Sequence, residues 1–242
     1  MTEKTSFRGL IFDILHTLID DSGFPKKIIP QFLAESGVKV DRNQFNQEYD
    51  AFGKSLFDWP NIHPFVSIRE LHRQRLMHFY AQYAVTRNIE KDLGRLWEYI
   101  GSSKIYPDVT EILPKLRRFF KLGLLSNADK DDPLIRKLLG KGFRFDVILT
   151  SEEAGCYKPH PHIFEIMIEK MALKPGELLM IGDSPQADIV GAHRAGIAVA
   201  WINRQKKKLP PGINHPTYEF SNLNDLWQCL KPIAVTNEKQ EH

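Results

Sequence analysis

The sequence predicts an α/β protein, a doubly wound and mainly parallel sheet interrupted after its first strand by an inserted helical subdomain. Three features carry this reading. Short apolar runs, each ended by a polar residue or glycine, recur through the second half of the chain, as strands buried on both faces require. Amphipathic stretches of helical period separate the later runs, the spacing of strand–helix–strand units. Between the first run and the second lies a long tract in which the only periodicity is helical.

In order, strands are expected at Phe7–Phe12, Lys121–Leu125, Asp146–Thr150, Glu177–Ile181 and Ala198–Ile202. Helices are expected at Val109–Phe119, Asp132–Leu139, His162–Met171 and Ala187–Ala195. Within the tract from Ile19 to Tyr106, Ile28, Ile29, Phe32 and Leu33 form one apolar stripe that stops at Ser36-Gly37. Phe45, Tyr49, Phe52 and Leu56 form a second; Leu71, Leu76, Phe79, Tyr80 and Tyr83 a third; Leu93, Leu96, Trp97 and Ile100 a fourth. These stripes read as core, and no strand is expected among them. The predicted organisation is therefore an α/β core of residues 1–18 and 107–242 around an insert of residues 19–106. Glu238 to His242 read as a frayed tail.

Composition narrows the function. With 42% hydrophobic and 26% charged residues, wholesale disorder is excluded. A net charge of +3 is too small and too dispersed to suggest a nucleic-acid partner. The densest run, Lys206-Lys207-Lys208, precedes Pro210-Pro211-Gly212 and reads as a solvated loop. Cys156 and Cys229 are far apart in sequence, which suits neither a disulfide framework nor a thiolate zinc site and fits a reducing compartment. Met1 to Ser6 are polar and lack an apolar signal core, and no apolar run approaches the ~20 residues that span a bilayer. A cytoplasmic protein, monomer or homodimer, acting on a small molecule is expected, with no membrane partner.

In a doubly wound sheet, ligands bind outside the carboxyl ends of the strands. Those ends carry Asp13, Ser126-Asn127, the loop reaching Lys158, and Asp183. Each alone suits a helix cap or a turn. Together they place two carboxylates, a hydroxyl and an ammonium at successive strand ends, a suitable site for an anionic substrate with a divalent cation.

Four segments in order carry a family resemblance: Phe12-Asp13-Ile14-Leu15-His16-Thr17-Leu18, Leu125-Ser126-Asn127, Tyr157-Lys158-Pro159, and Ile181-Gly182-Asp183-Ser184-Pro185-Gln186-Ala187-Asp188-Ile189. With Gly191-Ala192, Ala195-Gly196 and Trp201-Ile202-Asn203 behind them, the sequence resembles the haloacid dehalogenase-like (HAD) hydrolases whose helical cap follows the first motif. The resemblance implies that Asp13 is the nucleophile of a covalent aspartyl intermediate. It implies Mg²⁺ held by Asp13, Asp183 and the backbone carbonyl of Leu15, with Ser126 on a phosphoryl oxygen and Asn127 beside the substrate. Thr17 would help position the site, Lys158 would neutralise the nucleophile and the transferring group, and Asp188 would support the metal shell or serve as a structural helix residue. The segment from Ile197 to Pro211-Gly212-Ile213 looks most like the phosphatases of nucleotides and sugar-acid phosphates, so phosphoryl transfer from a small organophosphate is the leading expectation.

The first motif departs from the family. The phosphatase pattern has a second aspartate, which protonates the leaving oxygen and then activates water, and here that position is Leu15. Losing such a group typically lowers the rate ~10²–10⁴-fold. Three consequences are open. The leaving group needs no proton, as in dehalogenase or phosphonatase chemistry, for which Lys54 is a candidate cap lysine; or His16 substitutes; or the chain is a weakened relative that binds ligands or partners. Gly53-Lys54-Ser55 is not a P-loop, because Glu48 stands where that motif needs glycine. His160-Pro161-His162 reads as a helix start rather than a metal pair.

Overall fold

The structure, a computed structural model, describes residues 7–21, 25–56 and 64–238. The polar start Met1 to Ser6 and the tail after Glu238 lie outside the described residues. Among the described residues no helix is long and apolar enough to cross a membrane.

The chain opens with β1 (Gly9–Phe12) and the two-residue β2 (Ile19–Asp20), followed by α1 (Ile28–Glu35), α2 (Arg42–Leu56), α3 (Ile68–Gln82) and α4 (Ile89–Gly101). A second short strand, β3 (Lys104–Ile105), leads into α5 (Pro107–Arg117), β4 (Lys121–Ser126), α6 (Pro133–Gly140), β5 (Val147–Thr150) and α7 (Ser151–Ala154). The remainder runs through α8 (Pro161–Met171), β6 (Leu178–Gly182), α9 (Val190–Arg194), β7 (Ala198–Ile202), β8 (Tyr218–Phe220) and α10 (Leu223–Glu238).

The main sheet has the order β5-β4-β1-β6-β7-β8, and every neighbouring pair is parallel. The four central strands are buried along nearly their whole length, which is why they read as continuous apolar runs rather than alternating ones. β1 lies between β4 and β6, with Phe12 level with Leu124 and Ile181. This register brings the residues that follow β1, β4 and β6 to the same edge of the sheet. β1 begins at Gly9 rather than Phe7, although Phe7 is fully buried.

The expectation of no strand between Ile19 and Tyr106 is corrected by β2 and β3. Ile19 pairs with Ile105 and Asp20 with Lys104 in an antiparallel ribbon where the chain leaves and re-enters the α/β body. Two-residue strands leave no periodicity to read. β8, α7 and α10 are also additional to the expected elements.

The helical tract behaves as its apolar stripes predict. Phe45, Leu76, Phe79, Leu93, Leu96 and the α1 residues Phe32 and Leu33 are fully buried. Phe45 and Phe79 pack with centroids 4.8 Å apart, and Tyr49 stacks on Phe79. Ser67 and Asn88 cap α3 and α4 by accepting the backbone N–H of Glu70 and Lys91. Arg87 joins Asp92, Glu35 and the Phe32 carbonyl, tying α1 to α4. His160 accepts from the His162 N–H at the start of α8, the helix-start arrangement expected of that dipeptide pair.

Candidate active site

The site is built at the carboxyl edge around one buried ammonium. Lys158 is 2% exposed and its Nζ donates to Asp13 Oδ1 at 2.7 Å, Asp188 Oδ1 at 2.7 Å and the Leu125 carbonyl at 2.9 Å. All three ammonium protons are thus satisfied, the condition under which a lysine is tolerated in an interior. Burial opposes its charge, but Asp13 and Asp188 outweigh that and hold the lysine above its usual range.

Asn127 sets the loop that delivers Lys158. Its Oδ1 accepts the Lys158 backbone N–H at 2.7 Å, and its Nδ2 donates to the Lys158 carbonyl at 3.1 Å. These two Asn127 amide bonds both position the lysine. Ser126, the last residue of β4, is buried beside it.

On the other side, Asp188 is fully buried and its Oδ2 accepts the Ser184 N–H at 3.0 Å. The π-helical turn Pro185–Ile189 produces this return, with Ser184 capping through the Ala187 N–H. Gly182 is required here, since any side chain at that position would collide with the Asp188 carboxylate. Asp188 thus closes its own helical turn, as a structural helix residue would, and is also a direct partner of Lys158. Trp201 Nε1 donates to the Asp183 carbonyl at 2.8 Å and fixes the backbone beneath the last carboxylate.

Asp13, Asp183 and Asp188 each bring one oxygen to within 4.8 Å of the others. Burial, offset by Lys158 and reinforced by Asp188, pushes Asp13 up to about 6. Burial, then Asp13 and Asp188, pushes Asp183 up to about 8 against the opposing charge of Lys158. Lys206, Lys207 and Lys208 are exposed, as the reading of this run as a solvated loop expects. Three carboxylates with one ammonium leave negative charge in excess, and hard oxygen donors at this spacing suit a divalent cation such as Mg²⁺.

The loop after β1 forms the near wall. Leu18 N–H and Ile19 N–H both donate to the Ile14 carbonyl, closing a tight turn. Leu15 packs its side chain against the apolar core and forms an isolated bridge to Ile19. His16 sits at φ +55°, a left-handed conformation that favours glycine, and its Nε2 lies 3.6 Å from Asp21 Oδ2. Thr17 is fully buried, and its hydroxyl has no hydrogen-bond partner among the described residues. His16, Asp20 and Asp21 also each bring one ligand atom to within 4.8 Å of the others. Lys54, by contrast, is exposed on α2, and among the described residues no hydrogen bond or ion pair joins it to the Asp13 cluster.

The α2–α3 connection meets the same edge. Asp129, 2% exposed, accepts the backbone N–H groups of Ile68 and Arg69 at 2.7 and 2.8 Å, capping α3 from outside. Tyr157, one residue before Lys158, donates its hydroxyl to the Val66 carbonyl and stacks on Phe65. Tyr157 belongs to the third motif, which assigns it no role of its own, and Asp129 carries no sequence signal, since a carboxylate in the Ser126-Asn127-Ala128-Asp129 loop gives no sign of the helix it will cap.

Comparison with known proteins agrees with this geometry. The pattern of the haloacid dehalogenase-like hydrolases matches residues 7–196. The pyrimidine 5'-nucleotidase YjjG of Escherichia coli is 34% identical over 127 residues, 51% of this chain and 56% of that protein, so the chain spans about half the length of this relative. The N-acylneuraminate-9-phosphatase of Rattus norvegicus is 25% identical over 93% of this chain and 94% of its own. The crystal structure of the L-2-haloacid dehalogenase PA0810 shares the fold, with a TM-score of 0.76 at 21% identity over 93% of this chain and 99% of that one. The fold, the four motifs in order and these matches converge: the chain belongs to the haloacid dehalogenase-like hydrolases.

Proposed function

We propose that this hydrolase transfers the phosphoryl group of a small organophosphate to Asp13 in a Mg²⁺-dependent reaction, with residues 19–106 acting as the cap. The observation that carries this reading is the excess of carboxylate over ammonium at one strand edge, with Asp183 raised to about 8 by burial and its neighbours. The matched nucleotidase and sugar-acid phosphatase support phosphate monoesters of nucleotide or sugar type.

Asp13, Asp183 and the Leu15 carbonyl would hold the cation, with Asp188 behind them. When bound, Mg²⁺ supplies positive charge to the phosphoryl oxygens. The chain's own groups do the rest. The Asp13 carboxylate attacks phosphorus, the bond from phosphorus to the leaving oxygen breaks, and water later attacks phosphorus and breaks the bond to Asp13. Lys158 holds Oδ1 of that carboxylate and keeps it ionised and oriented. Ser126 and the unpartnered Thr17 hydroxyl would donate to phosphoryl oxygens. Leu15 can neither protonate the leaving oxygen nor activate water, so substrates whose leaving group departs as a stable anion are favoured.

The test compares aryl phosphates, alkyl phosphates, phosphonates and 2-haloacids with and without Mg²⁺. The expected result is Mg²⁺-dependent cleavage of aryl phosphates well ahead of alkyl esters. Metal-independent release of halide instead would establish dehalogenase chemistry. Absence of turnover on all four would favour a binding protein.

A further inference from the structure

The chain passes between the α/β body and the helical tract at two places, residues 18–20 and 104–106, joined by the β2–β3 ribbon. One guanidinium touches both. Arg204 Nη2 donates to the Thr17 carbonyl at 2.9 Å, at the start of the outgoing crossing. Its guanidinium carbon lies 3.8 Å from the ring centroid of Tyr106, at the end of the returning crossing. Tyr106 N–H in turn donates to the Leu18 carbonyl at 3.0 Å, so the two crossings are also bonded to each other.

Arg204 is itself held firmly. Its side chain is 14% exposed and pairs with the Asp108 carboxylate at 3.0 Å, and Asp108 is 8% exposed. Asp108 Oδ2 also accepts the Leu223 N–H at the start of α10. The preceding residue, Asn203, donates its backbone N–H to Phe220 of β8 and its amide to Glu219 and the Lys207 carbonyl. A planar, permanently charged fork can donate in-plane while its face stacks on an aromatic ring, and lysine cannot do both.

We infer that Arg204 is a positioning residue: it rivets the nucleophile loop and both cap crossings to the end of β7, setting where the cap sits over Asp13. The inference rests on the cap reading of residues 19–106. Thr17 lies four residues beyond Asp13 in the turn closed on Ile14, so the contact to its carbonyl constrains the same loop that carries the nucleophile. Loosening this contact frees the loop and the hinge together while leaving the sheet intact.

Amide hydrogen exchange on the full chain tests this directly, because the amides of His16, Leu18, Ile19 and Tyr106 are all bonded within this region. In Arg204→Met they are expected to exchange about ten- to a hundredfold faster, the scale set by loss of a charge-assisted hydrogen bond. The amides of β4 and β6 should keep their rates. Arg204→Lys should recover part of the protection, and Tyr106→Phe, which keeps the ring, should match the parent. With an aryl phosphate and Mg²⁺, the loss should appear in kcat with little change in KM. Unchanged exchange at the four amides would overturn the inference, as would a uniform rise across the central strands, the mark of general destabilisation. If the parent turns over no phosphate ester, the proposed chemistry fails while the exchange result still judges Arg204.

Discussion

The Asp13–Lys158 cluster, the floor of the proposed site, and the helical tract, its proposed roof, are held together by different means. In the floor, Asp13 and Lys158 stand 145 residues apart in sequence and meet at 2.7 Å, fully paired and nearly out of solvent. In the helical tract the charged contacts lie nearer the surface: Arg87 and Arg95 bridge Glu35 and Asp92, with Glu35 43% exposed, and apolar stripes supply the interior. The floor's groups are fixed by burial and by one another; the roof is fixed by packing and by backbone contacts at its edges.

The largest expected effect would come from breaking the floor. Lys158→Met leaves two buried carboxylates without their cation and should destabilise the metal-free protein by ~3–5 kcal/mol in chemical denaturation. Arg87→Met, which disrupts the more exposed roof network, should cost roughly 1–3 kcal/mol, with Asp92 left short of a partner. Equal losses would erase the distinction between the two regions.

Next in size is the acid–base position. Leu15→Asp should raise alkyl-phosphate turnover ~10²-fold or more, the lower end of a general acid–base contribution. An unchanged rate in a folded variant would mean the proton moves elsewhere, and His16→Ala would then be expected to abolish the residual activity.

The floor should also make cation binding depend on pH. Asp13 and Asp183 lie near 6 and 8, above their ordinary values, so the folded protein binds more protons than the unfolded chain between about pH 4 and 8. Their contribution to stability is therefore present at low pH and lost as pH rises through those values. A divalent cation competes with these protons, so the rise in Tm caused by Mg²⁺ should be larger at pH 8.5 than at pH 5.5. An equal rise at both would place the cation away from these carboxylates.

The smallest effects are expected at the roof's contact with the floor. Tyr157→Phe removes the hydroxyl that reaches Val66 but keeps the stack on Phe65, and should cost about 1 kcal/mol with a KM change of only a few-fold.

Much of the floor is legible because Asp13, Ser126 and Asp183 each end or follow an apolar run, and a parallel sheet brings the ends of such runs to one edge. Lys158 stands in the loop beyond β5 and α7, where only the third motif marks it. Asp188 was underweighted because its importance lies in a bond to Lys158, thirty residues upstream, through a turn whose helical type leaves no periodic mark. Arg204 and Asp129 escaped for the same reason, since each acts on backbone groups of a distant segment. The β2–β3 ribbon is simply too short to produce a pattern.

The central claim is that Asp13 accepts a phosphoryl group. Mixing the protein with an aryl phosphate and Mg²⁺, quenching in acid and mapping the modified peptide by mass spectrometry tests it most directly. Because Leu15 cannot activate water, the adduct should accumulate in a burst, map to Asp13, and disappear in Asp13→Asn or when Mg²⁺ is chelated. A phosphoryl group on another residue, or none at Asp13 while turnover proceeds, would contradict the account.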